Sequence, residues 1–134
     1  MSKLNLEEAT ILALQNELNG DNDYVYHCTK TIKDYFNILE NGFDINRLND
    51  KYVFLAEDLY DAQGYGKYPI KLLKLDVENK LNIVTLTNIS SIADIDNKFD
   101  EDDNIDGIKY CWKNHTYRYM IRNINKLNML NRYK

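Results

Sequence analysis

The sequence predicts an α+β domain in which early helices accompany six or seven short strands arranged as two small packed sheets, antiparallel or mixed. Three observations predict it. Apolar residues recur at helical spacing near the start, at Leu4, Ile11, Leu14 and Leu18, and again at Ile32, Phe36 and Leu39. Short aromatic and β-branched runs follow, such as Tyr52-Val53-Phe54-Leu55. The length, 134 residues with 44% hydrophobic content, suits one domain spanning 1–134 with a buried core.

The elements are read in order. Leu4 to Leu18 is a helix, with Asn5 and Glu8 as a capping pair. Tyr24-Val25-Tyr26 is a strand that ends in His27-Cys28-Thr29. Thr29 or Thr31 caps the next helix, and Gly42 takes the left-handed position after it. Asp44 to Lys51 is polar and turn-rich, hence a loop. Tyr52 to Leu55 is a strand, and Glu57 to Gln63 a short helix ending at Gly64-Tyr65-Gly66. Ile70 to Val77 and Leu81 to Leu86 are strands. Asn88 to Asp106 is acidic and loses apolar pattern, so it is read as a solvated loop. Gly107 to Trp112, Tyr117 to Arg122 and Asn125 to Leu130 close the chain as strands, with Asn114 in a turn.

No apolar run approaches the roughly 20 residues of a membrane span. Glu7 and Glu8 stand where a signal peptide carries positive charge, so a cytoplasmic location is expected. Two cysteines, Cys28 and Cys111, do not make a disulfide framework or a metal-ligand spacing. Net charge is −4, unevenly spread. All 21 acids precede Gly107, whereas residues 107–134 hold seven Lys or Arg. The asymmetry points either to a polar partner or to a solvated edge strand defended by cations. Tyr110, Trp112, Tyr117 and Tyr119 among those cations suit base stacking, but the overall acidity ranks nucleic acid below protein as a partner.

The order His27-Cys28-Thr29, helix, Tyr52-Val53-Phe54-Leu55, then Ala62-Gln63-Gly64-Tyr65 resembles the NAD-binding half of the ADP-ribosyltransferase fold, shared by poly-ADP-ribose polymerases and diphtheria-type toxins. The resemblance implies an NAD-binding cleft. His27 would bond a ribose hydroxyl, Cys28 would hold the nicotinamide amide through its backbone, and Thr29 would keep the family's hydroxyl. Phe54 and Tyr65 would sandwich the nicotinamide ring, an arrangement that suits a planar cation. Asp106-Gly107-Ile108-Lys109-Tyr110 and the hairpin after it resemble the strands that carry the family's catalytic Glu.

Here the pattern departs. Arg118 falls at the Glu position, and no acid follows Asp106. The family's Glu steadies positive charge on the ribose as the nicotinamide bond breaks, a contribution of a few kcal/mol in comparable sites. An Arg there would repel that charge and suits a pyrophosphate or an acidic partner. Three readings stay open. One is an NAD-dependent mono-ADP-ribosyltransferase acting on a macromolecular acceptor, with Asp106 or Glu101 to Asp103 supplying the acid. The second is a module that binds NAD or a protein without chemistry. The third is a small interaction domain outside the family. By fold-level analogy, a toxin or a phage-encoded modifier of host defence is the expected role.

Overall fold

A computed structural model describes residues 23–44, 52–112 and 116–130. Along them run β1 (Tyr24–Thr29), α1 (Ile32–Asn41), β2 (Val53–Ala56), α2 (Leu59–Ala62), β3 (Tyr68–Leu73) and α3 (Lys74–Lys80). Then come β4 (Ile83–Ile89), α4 (Ile92–Glu101), β5 (Gly107–Trp112), β6 (Arg118–Ile121) and α5 (Ile124–Asn128). The expected Leu4–Leu18 helix, the Asn114 turn and most of the Asp44–Lys51 loop lie outside the described residues.

The α+β class holds, but the two sheets are one. The six strands form a single mixed sheet in the order β3-β1-β2-β6-β5-β4, parallel only between β4 and β5. Its two halves meet at one registered pair, Tyr26 opposite Ala56. By contrast, β1 pairs with β3 along its whole length. The sheet is therefore continuous yet nearly divided at its β1–β2 seam.

Side chains alternate across the sheet, so each face carries its own core. On one face Val25, Val53, Leu55, Ile70, Leu72, Tyr119 and Ile121 pack under α1, α3 and α5, which contribute Tyr35, Val77, Ile124 and Leu127. On the other, Ile108, Tyr110 and Met120 meet Ile95 and Phe99 of α4. Beside them Tyr26, Cys28 and Ala56 meet Leu59 and Ala62 of α2. Both cysteines are free thiols.

Three helices replace expected strands or loop. The Ile70–Val77 strand stops at Leu73, and α3 follows. Only Val77 of that helix is buried, so its short polar repeat carries little apolar signal; a Lys80–Asp76 pair at i,i+4 supports it. The Asn88–Asp106 loop contains the end of β4 and all of α4. Two residues one turn apart, Ile95 and Phe99, anchor α4. The Asp94 carboxylate accepts from the Ser90 and Ser91 N–H groups at its start. The Asn125–Leu130 strand is α5 instead: Asn123 caps it by accepting from the Lys126 N–H, and Ile124 and Leu127 point inward.

α1 follows expectation. The Thr31 hydroxyl accepts from the Asp34 N–H, and Gly42 ends the helix at φ 84° and ψ 177°, a conformation open to glycine. Among the described residues no helix is long and apolar enough to cross a membrane.

The four described cations of the C-terminal quarter all bond acceptors within the chain. Lys109 Nζ and the Tyr119 hydroxyl both donate to Glu78 of α3, at 2.7 and 2.6 Å. The Arg122 guanidinium donates to the carbonyls of Phe99, Asp102 and Ile105, closing the end of α4. Lys126 pairs with Asp106 and Arg118 with Asp61. β6 also lies inside the sheet, between β2 and β5, so it is not a guarded edge.

Gly66 tests how tightly the end of β1 is packed. A Cβ there would meet the Thr29 carbonyl group and lie 2.9 Å from the Cys28 oxygen, backbone that cannot turn aside. Gly66→Ala is expected to cost about 1–3 kcal/mol, as overpacking does elsewhere. Urea unfolding measures it, and a variant as stable as the parent refutes the close approach.

Candidate functional site

A cleft lies beside the seam, between the end of β1 and α1. Past Tyr26, β1 and β2 diverge, and the His27 ring fills the gap between them. Its Nδ1 lies 2.7 Å from the Phe54 carbonyl oxygen, which only a protonated Nδ1 can satisfy. The neutral ring then presents Nε2 as an acceptor, and that nitrogen has no partner among the described residues. The Phe43 ring meets His27 edge-on, with centroids 5.1 Å apart. Asn128 of α5 holds Phe43 from behind, accepting from its N–H and donating to its carbonyl, both at 2.9 Å. Burial is the larger influence on the His27 pKa and lowers it; the Phe54 carbonyl partly opposes it.

A cleft of about 430 Å³ lies against this ring, within the range of small-ligand sites. His27, Cys28, Thr29 and Tyr65 all line it, as do Lys30 and Asp34. Four of the five cofactor-binding candidates are thus together. Thr29 donates its hydroxyl to the Thr31 carbonyl at 3.0 Å, which fixes the turn into α1. Cys28 is buried in the cluster beneath α2 while also bordering the cleft.

Phe54 stands differently. Strand alternation puts its ring on the opposite face from His27, and it is not among the residues lining the cleft. It reaches the site through its carbonyl and through Tyr65. Nor is there an open aromatic sandwich: the Phe54 and Tyr65 centroids lie 5.0 Å apart, tilted by 38°. A flat ring between them needs about 7 Å, two ordinary contact distances.

The two catalytic candidates are separated. Arg118 sits across from Tyr110 and Ala56, at the Tyr65 end of the sheet. Asp106 precedes β5 at the other end, opposite the Ile121 side of β6. Four residues of strand between Asp106 and Tyr110 amount to about 13 Å. Asp106 is also fully engaged: it accepts from the Asn82 N–H, the Asn123 amide and Lys126 Nζ, at 2.7, 2.9 and 2.8 Å. Burial alone would raise its pKa, but these donors outweigh burial and lower it. Its carboxylate ties the start of β5 to the start of β4 and to α5.

Arg118 has a partner the sequence did not disclose. Nε and Nη2 donate to the two Asp61 carboxylate oxygens at 2.7 and 2.6 Å, a bidentate pair. Nη1 reaches the Tyr65 hydroxyl at 3.4 Å. Asp61 belongs to α2 and Tyr65 to the turn after it, so no helical spacing in the sequence links the acid to the site. Near this pair the Tyr110 hydroxyl is buried and makes no hydrogen bond of good geometry among the described residues, although Arg118 lies close enough to oppose the effect of burial on it. Burial raises the Tyr110 pKa, so it stays a neutral donor. Among the described residues no cluster of His, Cys, Asp or Glu is arranged to hold a metal ion.

Comparison with protein-family models, curated proteins and solved structures finds no match to this chain.

The lowered His27 pKa has a measurable consequence. Between the folded pKa and about 6.5, the unfolded chain binds a proton that the folded chain refuses, so stability falls as pH drops through that window. His27→Gln does not titrate and is expected to flatten this slope. Denaturant midpoints from pH 7.5 to 5 measure the difference; equal slopes in parent and variant contradict it.

Proposed function

We propose that this chain is an NAD-binding domain of the ADP-ribosyltransferase class. The observation that carries the reading is the His27 ring, fixed by the Phe54 carbonyl at a seam in the sheet. A free ring acceptor there faces a cleft that Thr29 and Tyr65 also line. An acceptor nitrogen of this kind suits a ribose hydroxyl, and the cleft's size suits part of a dinucleotide.

Binding is better supported than rapid transfer. Arg118 occupies the position expected of the acid, and its charge is matched by Asp61. A neutralised pair gives a forming sugar cation far less support than a lone carboxylate. A transferase reading keeps one observation in its favour: Asp61 brings a carboxylate within bonding distance of residue 118, where the class places its acid. In that reading Asp61 replaces the nominated Asp106, and a protein is the favoured acceptor.

Calorimetry with NAD tests the binding. Saturable binding is expected, weakened about tenfold by His27→Ala through loss of one well-placed hydrogen bond to a hydroxyl. No saturable binding overturns the proposal. Nicotinamide release, followed in the same samples with and without a protein lysate, separates the two chemistries. Release at the rate of buffer alone supports the binding module; fast release abolished by Asp61→Asn supports the transferase.

A further inference from the structure

We propose that Asp61, Arg118 and Tyr110 form a carboxamide subsite behind the Tyr65 ring, receiving the amide end of a planar ring that stacks on Phe54. The inference rests on the NAD reading above and departs from the expectation that the Cys28 backbone holds the amide.

Tyr65 is the movable part. Its side chain is 46% exposed, and its one hydrogen bond among the described residues is the long contact to Arg118 at 3.4 Å. It borders the His27 cleft on one side and covers the Arg118–Asp61 pair on the other. A planar ring entering between Phe54 and Tyr65 must widen their 5.0 Å spacing to about 7 Å. That movement breaks the weak Arg118 contact and leaves three groups with unused bonding capacity.

The groups have a definite chemistry. Tyr110 offers a wholly buried hydroxyl beside Arg118 that makes no hydrogen bond of good geometry among the described residues. Arg118 spends Nε and one Nη2 proton on Asp61, leaving further N–H donors. Asp61 accepts only from Arg118 among the described residues, so each oxygen keeps acceptor capacity. Donors and acceptors thus stand side by side with no net charge. A primary carboxamide matches: its carbonyl accepts from Arg118 or Tyr110, and its NH₂ donates to Asp61. A carboxylate does not match, because it meets the Asp61 charge and offers nothing to donate. Phosphate fails for the same reason.

The test compares NAD with its deamidated analogue, in which a carboxylate replaces the amide, by calorimetry on the full chain. The parent is expected to prefer NAD by about tenfold or more. Asp61→Asn removes the negative charge and frees Arg118, so the preference should fall to parity or reverse. Tyr110→Phe should weaken NAD by about three- to tenfold while leaving the melting temperature unchanged or higher, because the lost hydroxyl makes no hydrogen bond of good geometry. Equal affinity of the parent for both ligands overturns the subsite, as does an unchanged preference in Asp61→Asn. NAD binding that responds to His27→Ala but to neither Asp61→Asn nor Tyr110→Phe overturns the subsite and leaves the NAD reading standing. Absence of NAD binding overturns both.

Discussion

The site depends on a backbone carbonyl that the sheet does not use. β1 and β2 share one registered pair and then part, and the Phe54 oxygen turns to the His27 ring instead of to β1. A buried carbonyl without a partner costs about 1–3 kcal/mol, so the imidazole is held firmly and in one tautomer. That bond adds to the Tyr26–Ala56 pair across the seam, lowers the freedom of the ring and leaves the other ring nitrogen as an acceptor. Phe43 and Asn128 then brace the same ring from the α1 side.

Much of this was legible locally. β1, α1, β2 and α2 each carry a clear pattern and recognisable punctuation, such as Thr31 before α1 and Gly42 after it. The grouping of His27, Cys28, Thr29 and Tyr65 followed from their order along the chain. α3, α4 and α5 were not legible, because each buries only one or two residues and takes its stability from neighbours. Phe99 looks like a stray aromatic in an acidic run until β5 is placed beneath it and Arg122 across its face, 4.6 Å from the ring centre. Asp61 was missed for a similar reason. An acid on a short, polar helix has no pattern of its own, and its meaning comes from Arg118 more than fifty residues away.

The charge distribution carried a different lesson. A basic C-terminal quarter reads either as a surface for a polar partner or as a solvated edge strand guarded by cations. In the structure Lys109, Arg118, Arg122 and Lys126 all serve acceptors within the chain. Among the described cations, Lys109, Arg118 and Lys126 pair with acids that precede them in the chain. Several of these contacts are partly shielded from water, so salt weakens them less than it weakens pairs on an open surface.

The position of β6 has a consequence for biosynthesis. β2 emerges early from the ribosome, but its full ladder partner is β6, near the other end of the chain. Until that late strand arrives, β2 has only the single β1 pairing, and Asp61 waits for the guanidinium that neutralises it. Nascent chains halted before Arg118 would expose an unfinished strand, the kind of intermediate that recruits chaperones or aggregates. The cleft is therefore among the last features to mature, although most of its lining is translated first.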